Sequence, residues 1–387
     1  MSTSIATARS TQGASQAPVL FQTLKAKVAN RPTLLVIFAS PQVALEGLMK
    51  AAAEALPGVT AIGCTTAGEF TEAGQGKGQF TAWLLGGDDL VAAAGIATGL
   101  RADVERAVAE AIPKLADDRD RPHRTAIVLL DPLSGNGEEA ALLTSMTLGP
   151  TVRLAGGAAG DDLAFKQTLV ACGTKVASDA IVVAVLASKR PLGIGVQHGH
   201  APLSKPLTVT RAKGAVVYEL DGRPAYDVWR EEVRAAGVEI GPHPPPDIGA
   251  QLLRYEVGLI AGANEYKIRA PLSVGADRSL SFACGLPEGA VVRVTQSVEE
   301  KQIESARAAA ERARKALGGA NVAGALVFDC ICRDLILGQR FGSAVKEIQA
   351  VLGAPLAGFE TYGEIAMDLG QSSGFHNTTT VVLAFPT

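Results

Sequence analysis

The sequence predicts a mixed α/β protein built from internally duplicated units, each running strand, helix, strand, turn, strand. Three observations lead there. AIGCTTAGEF (61–70) and LAGFETYGEI (356–365) both fit Gly-x-x-Thr-x-Gly-Glu, 295 positions apart. Their flanks match too: an apolar run and a helical pattern precede each turn, and another apolar run follows it. A chance string would not bring such flanks along. Finally, strand-length apolar runs alternate with helix-period segments from residue 33 to about 190, the pattern of mixed α/β layers.

Taken in order, MSTSIATARSTQGASQA lacks the apolar core of a signal peptide and reads as a mobile polar tail. VLFQTLKAKVA (19–29) has the spacing of a first amphipathic helix. TLLVIFAS is a buried strand, PQVALEGLMKAAAEALPGV a helix, and FTAWLL the strand returning from the first turn. A gapless overlay then puts Phe80 on Phe375. A weaker middle copy follows. TAIVLLDPLSGNGEEAALLTSM is strand then helix; VRLAGGAAGDDLAF replaces the Thr by small residues and the Glu by Asp161; DAIVVAVLAS returns.

GIGVQHGHAPLSKPLTVTRAKGAVVYELDGRPAYDVWREEV holds strand-like runs, a turn at Asp221-Gly222 and a helix from near Pro224. GVEIGPHPPPD (237–247) is a candidate junction, and short strands follow it. SVEEKQIESARAAAERARKALGG is a helix with Ser297 and Glu300 as a capping box and Gly318-Gly319 as its stop. The last unit reads GALVFDCICR, RFGSAVKEIQAVLGAPL, the second turn, and FHNTTTVVL. The expected division is a tail and first helix over 1–30, then domains over 31–220 and 221–387.

With 387 residues, 47% of them hydrophobic, the chain can bury a large core. A net charge of −3 with no basic patch, and only 5% aromatics, argue against nucleic acid. The apolar runs are too short to span a bilayer. Five scattered cysteines do not suggest a disulfide framework, so a reducing cytoplasm is expected.

Each turn presents a hydroxyl, a carboxylate and glycines that let a ligand approach the backbone: Thr66, Gly68 and Glu69 beside Cys64, then Thr361, Gly363 and Glu364 near Asn377. Such turns suit an amine or a carboxylate; the alternative is that they only fix the hairpins through local hydrogen bonds. His198, His200 and His376 are candidate iron or metal ligands. On one strand, His198 and His200 would share a face, although no further ligands are spaced to complete a zinc site. Arg254, Arg293 and Arg333 are candidate rim cations for a ligand carboxylate or a haem propionate. Cys330-Ile-Cys332 reads as part of a buried strand, whereas Cys64 reads as more exposed. No Ser-His-Asp set, P-loop or dinucleotide fingerprint is present, so no catalytic residue is assigned.

AIGCTTAGEF, LAGGAAGDD, VTRAKGAVVYELDGRPAYDVW, CICRDLILG and GFETYGEIAMDLGQSSGFHNTTTVVL together resemble the FIST sensory domains, N- and C-terminal halves in tandem, from about residue 31 to the end. The resemblance implies a cytoplasmic signal-input protein, not an enzyme, that binds a small ligand such as an amino acid. It also implies a recurring Cys332-Arg333 pair. One branch of the family, NosP, binds haem, senses nitric oxide, and works with histidine kinases or cyclic-di-GMP enzymes. VQHGHAPLSKP points toward that branch. Haem is therefore the leading expected cofactor, with an amino-acid sensor and a cysteine-dependent enzyme as alternatives. Whether the protein forms a homo-oligomer is left open.

Overall fold

The computed structural model describes residues 3–28, 31–115, 118–262, 265–368 and 374–387. Residues 29 and 30, at the end of the expected first helix, and 369–373, within the last long motif, lie outside them.

The first unit comprises β1 (Ser4–Ser10), α1 (Ala17–Lys27), β2 (Pro32–Ala39), α2 (Leu45–Ala55), β3 (Thr60–Thr65), the hairpin β4 (Glu69–Thr71) and β5 (Gly74–Gly76), and β6 (Phe80–Gly86). The second repeats it with β7 (Leu90–Thr98), α3 (Val104–Ala111), β8 (His123–Leu130), α4 (Gly137–Leu148), β9 (Val152–Ala158), the hairpin β10 (Val170–Cys172) and β11 (Lys175–Ala177), and β12 (Ala180–Ser188). The third opens with β13 (Gly193–His198) and is interrupted by an insert. The insert contains β14 (His200–Pro202), β15 (Leu207–Lys213), β16 (Val216–Leu220), β17 (Arg223–Pro224), α5 (Ala225–Ala235), α6 (Ile248–Arg254), β18 (Val257–Gly262), β19 (Glu265–Arg269), β20 (Pro271–Val274), β21 (Leu280–Phe282) and β22 (Val291–Ser297). The third unit then resumes with α7 (Glu299–Ala316), β23 (Val322–Cys330), α8 (Ile331–Leu337), α9 (Phe341–Leu352), β24 (Leu356–Thr361), the hairpin β25 (Glu364–Met367) and β26 (Gly374–His376), and β27 (Thr379–Pro386).

The three units share one strand plan. Their sheets run β1-β6-β2-β3-β10-β11, β7-β12-β8-β9-β25-β26 and β13-β27-β23-β24-β4-β5. In each, two parallel strands joined through a helix lie beside an antiparallel returning strand. Each hairpin leaves its own unit and pairs with the next: the first unit's with β24, the third's with β9, the second's with β3. The exchange is cyclic, so the three units form a pseudo-threefold barrel.

Strand periodicity accounts for the continuous apolar runs. On β2, Leu34, Val36 and Phe38 face a central core shared by all three sheets, while Leu35, Ile37 and Ala39 face α1 and α2. β12 and β23 divide in the same way, toward the centre and toward the α3/α4 and α7/α9 layers. Strands buried on both faces lose the polar alternation of a half-exposed sheet. Phe38, Phe328 and Phe359 meet at the centre, with ring centroids 4.6 to 6.3 Å apart.

The insert is a nine-stranded sheet carrying α5 and α6, and residues 220 and 221 fall at its β16–β17 turn. Asp221 and Gly222 both take positive φ there, 49° and 75°, as the sequence suggests for a tight turn. Residues 237–247 join α5 to α6 within this insert.

Several expectations are corrected. The polar N-terminus is not a tail: Ser4–Ser10 pairs with β6 over its whole length as an edge strand. Phe80 does not match Phe375. Ala82 lies opposite Ile37 and Val382 opposite Val327, so the offset between copies grows from 295 to 300, and the third hairpin connection is five residues longer. Ser297 does not cap α7, whose N-cap is Val298; its hydroxyl instead accepts a hydrogen bond from Gln302 Nε2 at 2.8 Å. Cys330 ends β23, but Cys332 lies in α8 rather than on a strand.

Candidate functional site

The first glycine of each turn sits at an equivalent point on its parallel strand. A Cβ on Gly63, Gly156 or Gly358 would lie 2.6, 1.9 or 2.5 Å from the carbonyl oxygen of Ile37, Val128 or Val327. The second glycines are held by packing: a Cβ on Gly68 would meet the Glu360 carboxyl at 2.5 Å, and one on Gly363 the Phe375 ring at 2.1 Å.

The turns meet one another around the pseudo-threefold axis. Ala67 N–H donates to Glu360 O at 3.1 Å, and Glu360 N–H to Gly68 O at 2.8 Å. Ala158 N–H donates to Gly363 O at 2.7 Å, and Gly160 N–H to Thr65 O at 2.9 Å. In the middle copy, the Asp161 carboxylate accepts the N–H groups of Phe165, Lys166 and Gln167 and the Tyr362 hydroxyl.

In both Thr/Glu turns the threonine donates to its own glutamate, Thr66 to Glu69 and Thr361 to Glu364. Both carboxyls are buried. Glu364 also accepts the Thr379 N–H at 3.1 Å, whereas among the described residues Glu69 Oε2 has no partner. Burial raises the Glu69 pKa to about 8, against the Thr66 bond that lowers it, and it holds that of Glu364 well above the carboxylate range. These residues turn inward and bond locally; none lines the cavity described below.

Cys64 is fully buried, and desolvation, then Glu69, pushes its thiol pKa up. The expected exposed thiol is therefore absent. Arg333 is fully buried rather than at a rim. It donates to Asp329 at 2.6 Å, to Ser305 Oγ at 2.9 Å, and to both the side chain and the carbonyl of Gln302. Asn377 accepts the Ala270 N–H and donates to His376 O.

The three singled-out histidines come together. His198, His200 and His376 line one cavity of about 500 Å³ with Val196, Tyr266 and Arg312. They reach it from three strands. His198 ends β13 and His200 begins β14 in a different sheet, so the pair does not share a strand face, although their ring centroids lie 6.2 Å apart. A Cβ on Gly199 between them would sit 2.5 Å from Gln302 N.

Their ring nitrogens differ in commitment. His198 Nδ1 accepts the His200 N–H at 3.2 Å, and the ring also bonds the Tyr266 backbone. His200 Nδ1 lies 3.2 Å from Thr295 Oγ1, which itself donates to Glu256 O. His200 Nε2 faces the Glu256 carboxyl at 3.3 Å, and Glu256 accepts the Thr378 hydroxyl at 2.8 Å. His376 bonds the Ala366 backbone, and among the described residues its Nε2 has no partner. Burial lowers the pKa of His198 to about 4 and of His376 to about 3, and that of His200 well below normal, so all three rings are neutral. Among the described residues no group of three or more His, Cys, Asp or Glu is placed to hold a bare metal ion.

Arg312 is the cation at this cavity; its guanidinium donates to Val196 O at 2.8 Å. Sequence reasoning missed Arg312, which looks like any charge on a solvated helix. It also missed Glu256, whose partners Thr295, His200 and Thr378 lie 39 to 122 residues away.

Residues 33–223 match the family model of the FIST N domain, and residues 225–367 that of the FIST C domain. The chain belongs to the FIST family. FIST domains are signalling sensory domains, which supports a signal-input role. An uncharacterized protein from Mycobacterium tuberculosis is 31% identical over 205 residues, 49% of this chain and 50% of that protein. One from Mycobacterium bovis is 31% identical over 207 residues, 49% of each. A Methanocaldococcus jannaschii protein is 37% identical over 81 residues, 21% of this chain and 16% of its own. The chain thus aligns over half or less of the length of these relatives. No helix among its described residues is long and apolar enough to cross a membrane.

Proposed function

We propose that this FIST protein takes a small ligand into the histidine-lined cavity and reports its occupancy to a separate signalling partner, with haem, and nitric oxide through it, as the leading ligand. His376 carries the reading. A neutral imidazole with one nitrogen tied to backbone and the other unpartnered is how a protein presents an axial ligand. The cavity volume falls within the usual range for bound cofactors. His376 would hold the iron and Arg312 would meet a propionate; bound haem would supply an iron centre able to take nitric oxide. A histidine kinase or a cyclic-di-GMP enzyme in the cytoplasm is the proposed partner. Nitric oxide would signal only by binding one protein conformation better than another.

Glu265 and Arg312 favour a second reading. They line the same cavity with opposite charges, Glu265 from the insert and Arg312 from α7, which suits the ammonium and carboxylate of an amino acid.

Haem titration distinguishes the two. His376→Ala should abolish the Soret band of the reconstituted protein, while His123→Ala should leave it intact. If the wild-type protein takes up no haem and its melting temperature rises with an amino acid instead, the second reading stands.

A further inference from the structure

Residues 200–297 leave and rejoin the barrel at the same place. β13 belongs to the third barrel sheet and β14 to the insert, with only Gly199 between them. The insert returns through β22, whose Ser297 is the Cα partner of His200, and Val298 then leads into α7. Two adjacent strands are thus the whole covalent connection. Gly199 lies on the Gln302 backbone, and Gln302 donates to Ser297, so both crossings rest on the first turn of α7.

The insert also has its own core. Leu207, Val217, Trp229, Leu252, Leu280 and Val292 pack within it, and no barrel residue joins that cluster. Among the described residues of the insert, only Cys284 enters a barrel cluster, that of Phe375. Polar links join the two as well. Thr378 of the barrel donates to Glu256, Ala270 N–H donates to Asn377, and Arg269 reaches Phe375 O at 3.0 Å and Glu138. Modules joined by a narrow neck and a polar interface move relative to one another by default. The cavity lies in this interface, against the neck. Val196, His198, Arg312, His376 and Thr379 are its barrel side; His200, Pro202, Glu265 and Tyr266 its insert side.

We propose that the insert is a lever hinged at Gly199 and Val298, held against the barrel by the Thr378–Glu256 and Ala270–Asn377 bonds and drawn further closed by a ligand that touches both walls of the cavity. The ligand part rests on the reading of that cavity as the sensory site; the hinge and its latch do not. A ligand that contacts both modules favours the closed arrangement by its differential affinity alone.

The two tryptophans divide the test, since Trp83 lies in the barrel core and Trp229 in the insert core. In full-length Trp83→Phe and Trp229→Phe proteins, denaturant titration followed by fluorescence should give different midpoints. Coincident midpoints and slopes would make insert and barrel one cooperative unit and overturn the hinge. Hydrogen exchange tests the latch. Thr378→Val should speed exchange several-fold in 200–202, 257–260 and 374–380 but leave β15, β16 and α5 unchanged. No change at the interface, or an equal rise through the insert core, would reject it. Adding hemin to the wild type should slow exchange on both cavity walls. Hemin that binds without protecting the insert side rejects ligand-driven closure. Hemin that fails to bind rejects the haem reading, and the first two measurements still decide the lever.

Discussion

Burial makes carboxylic acids and imidazoles pull stability in opposite directions as pH changes. Glu69 and Glu360 are raised to about 8 and about 9 from 4.5, chiefly by desolvation. The folded state therefore holds their protons more tightly, and the stability they contribute is full below pH 4.5 and lost as pH rises through those values. His198 and His376, lowered to about 4 and about 3 from 6.5, contribute stability that is full above pH 6.5 and lost as pH falls through the lowered values. The two sets oppose each other between pH 4.5 and 6.5, and above that only the carboxyls act. We predict that the melting temperature falls from pH 6.5 to about 9. Glu360→Gln should flatten the decline by up to about 1.4 kcal/mol per pH unit, the slope of one group. Calorimetry across that range checks it, and an unchanged slope in Glu360→Gln would contradict the assignment. The residue types of the candidate site could be read from sequence, but their commitments could not. The Glu69–Thr66 bond, three residues apart, is the local alternative the sequence left open, whereas the bonds of Arg333 to Gln302 and Ser305 depend on partners brought in by folding.

At the scale of elements, the Gly-x-x-Thr-x-Gly-Glu string was legible because its first glycine is fixed by backbone and its Thr and Glu bond within the turn, although Gly68 is held by distant Glu360. The first glycine is demanded by the carbonyl of the adjacent parallel strand, a contact made 26, 28 or 31 residues along the chain. Gly156→Ala, whose Cβ would sit 1.9 Å from Val128 O, should therefore cost about 3 kcal/mol or more, against about 1 kcal/mol for an alanine at an exposed loop glycine such as Gly173. Urea unfolding of both variants measures the difference, and equal losses would remove the packing explanation. The hairpin exchange was not legible. Strands of three or four residues, such as β4, β10 and β25, carry too few side chains to declare a partner, and theirs lie in other units. β1 was missed for a related reason: Ser-Ile-Ala-Thr-Ala-Arg-Ser has little apolar content, and it is pairing with β6 that makes it a strand.

For the whole molecule, duplication gave away the architecture, while the insert hid how the third unit closes. β13 and α7 belong together against β27, yet a hundred residues separate them; α7 lies so close that a Cβ on Gly193 or Gly195 would reach Ala313 O or Ala309 O at 1.9 Å. Because His200 and Ser297 are strand partners, a short glycine linker can replace the insert. The remaining barrel should still melt cooperatively, with Trp83 buried, and should lose all cavity ligand binding; a barrel that fails to fold would show that the insert's interface is indispensable. The cyclic exchange of hairpins reaches further. No unit is complete alone: each leaves a strand edge open where a neighbour's hairpin belongs, and each carries a hairpin with nothing of its own to pair with. Three identical chains, each no longer than residues 1–86, would satisfy one another's edges in a closed ring. The arrangement is the one a homotrimer with subunits joined end to end would have, except that one unit carries small residues in place of the threonine and another carries the insert. Residues 1–86 expressed alone should accordingly sediment as an oligomer, and a stable folded monomer would argue that the units never had separate lives.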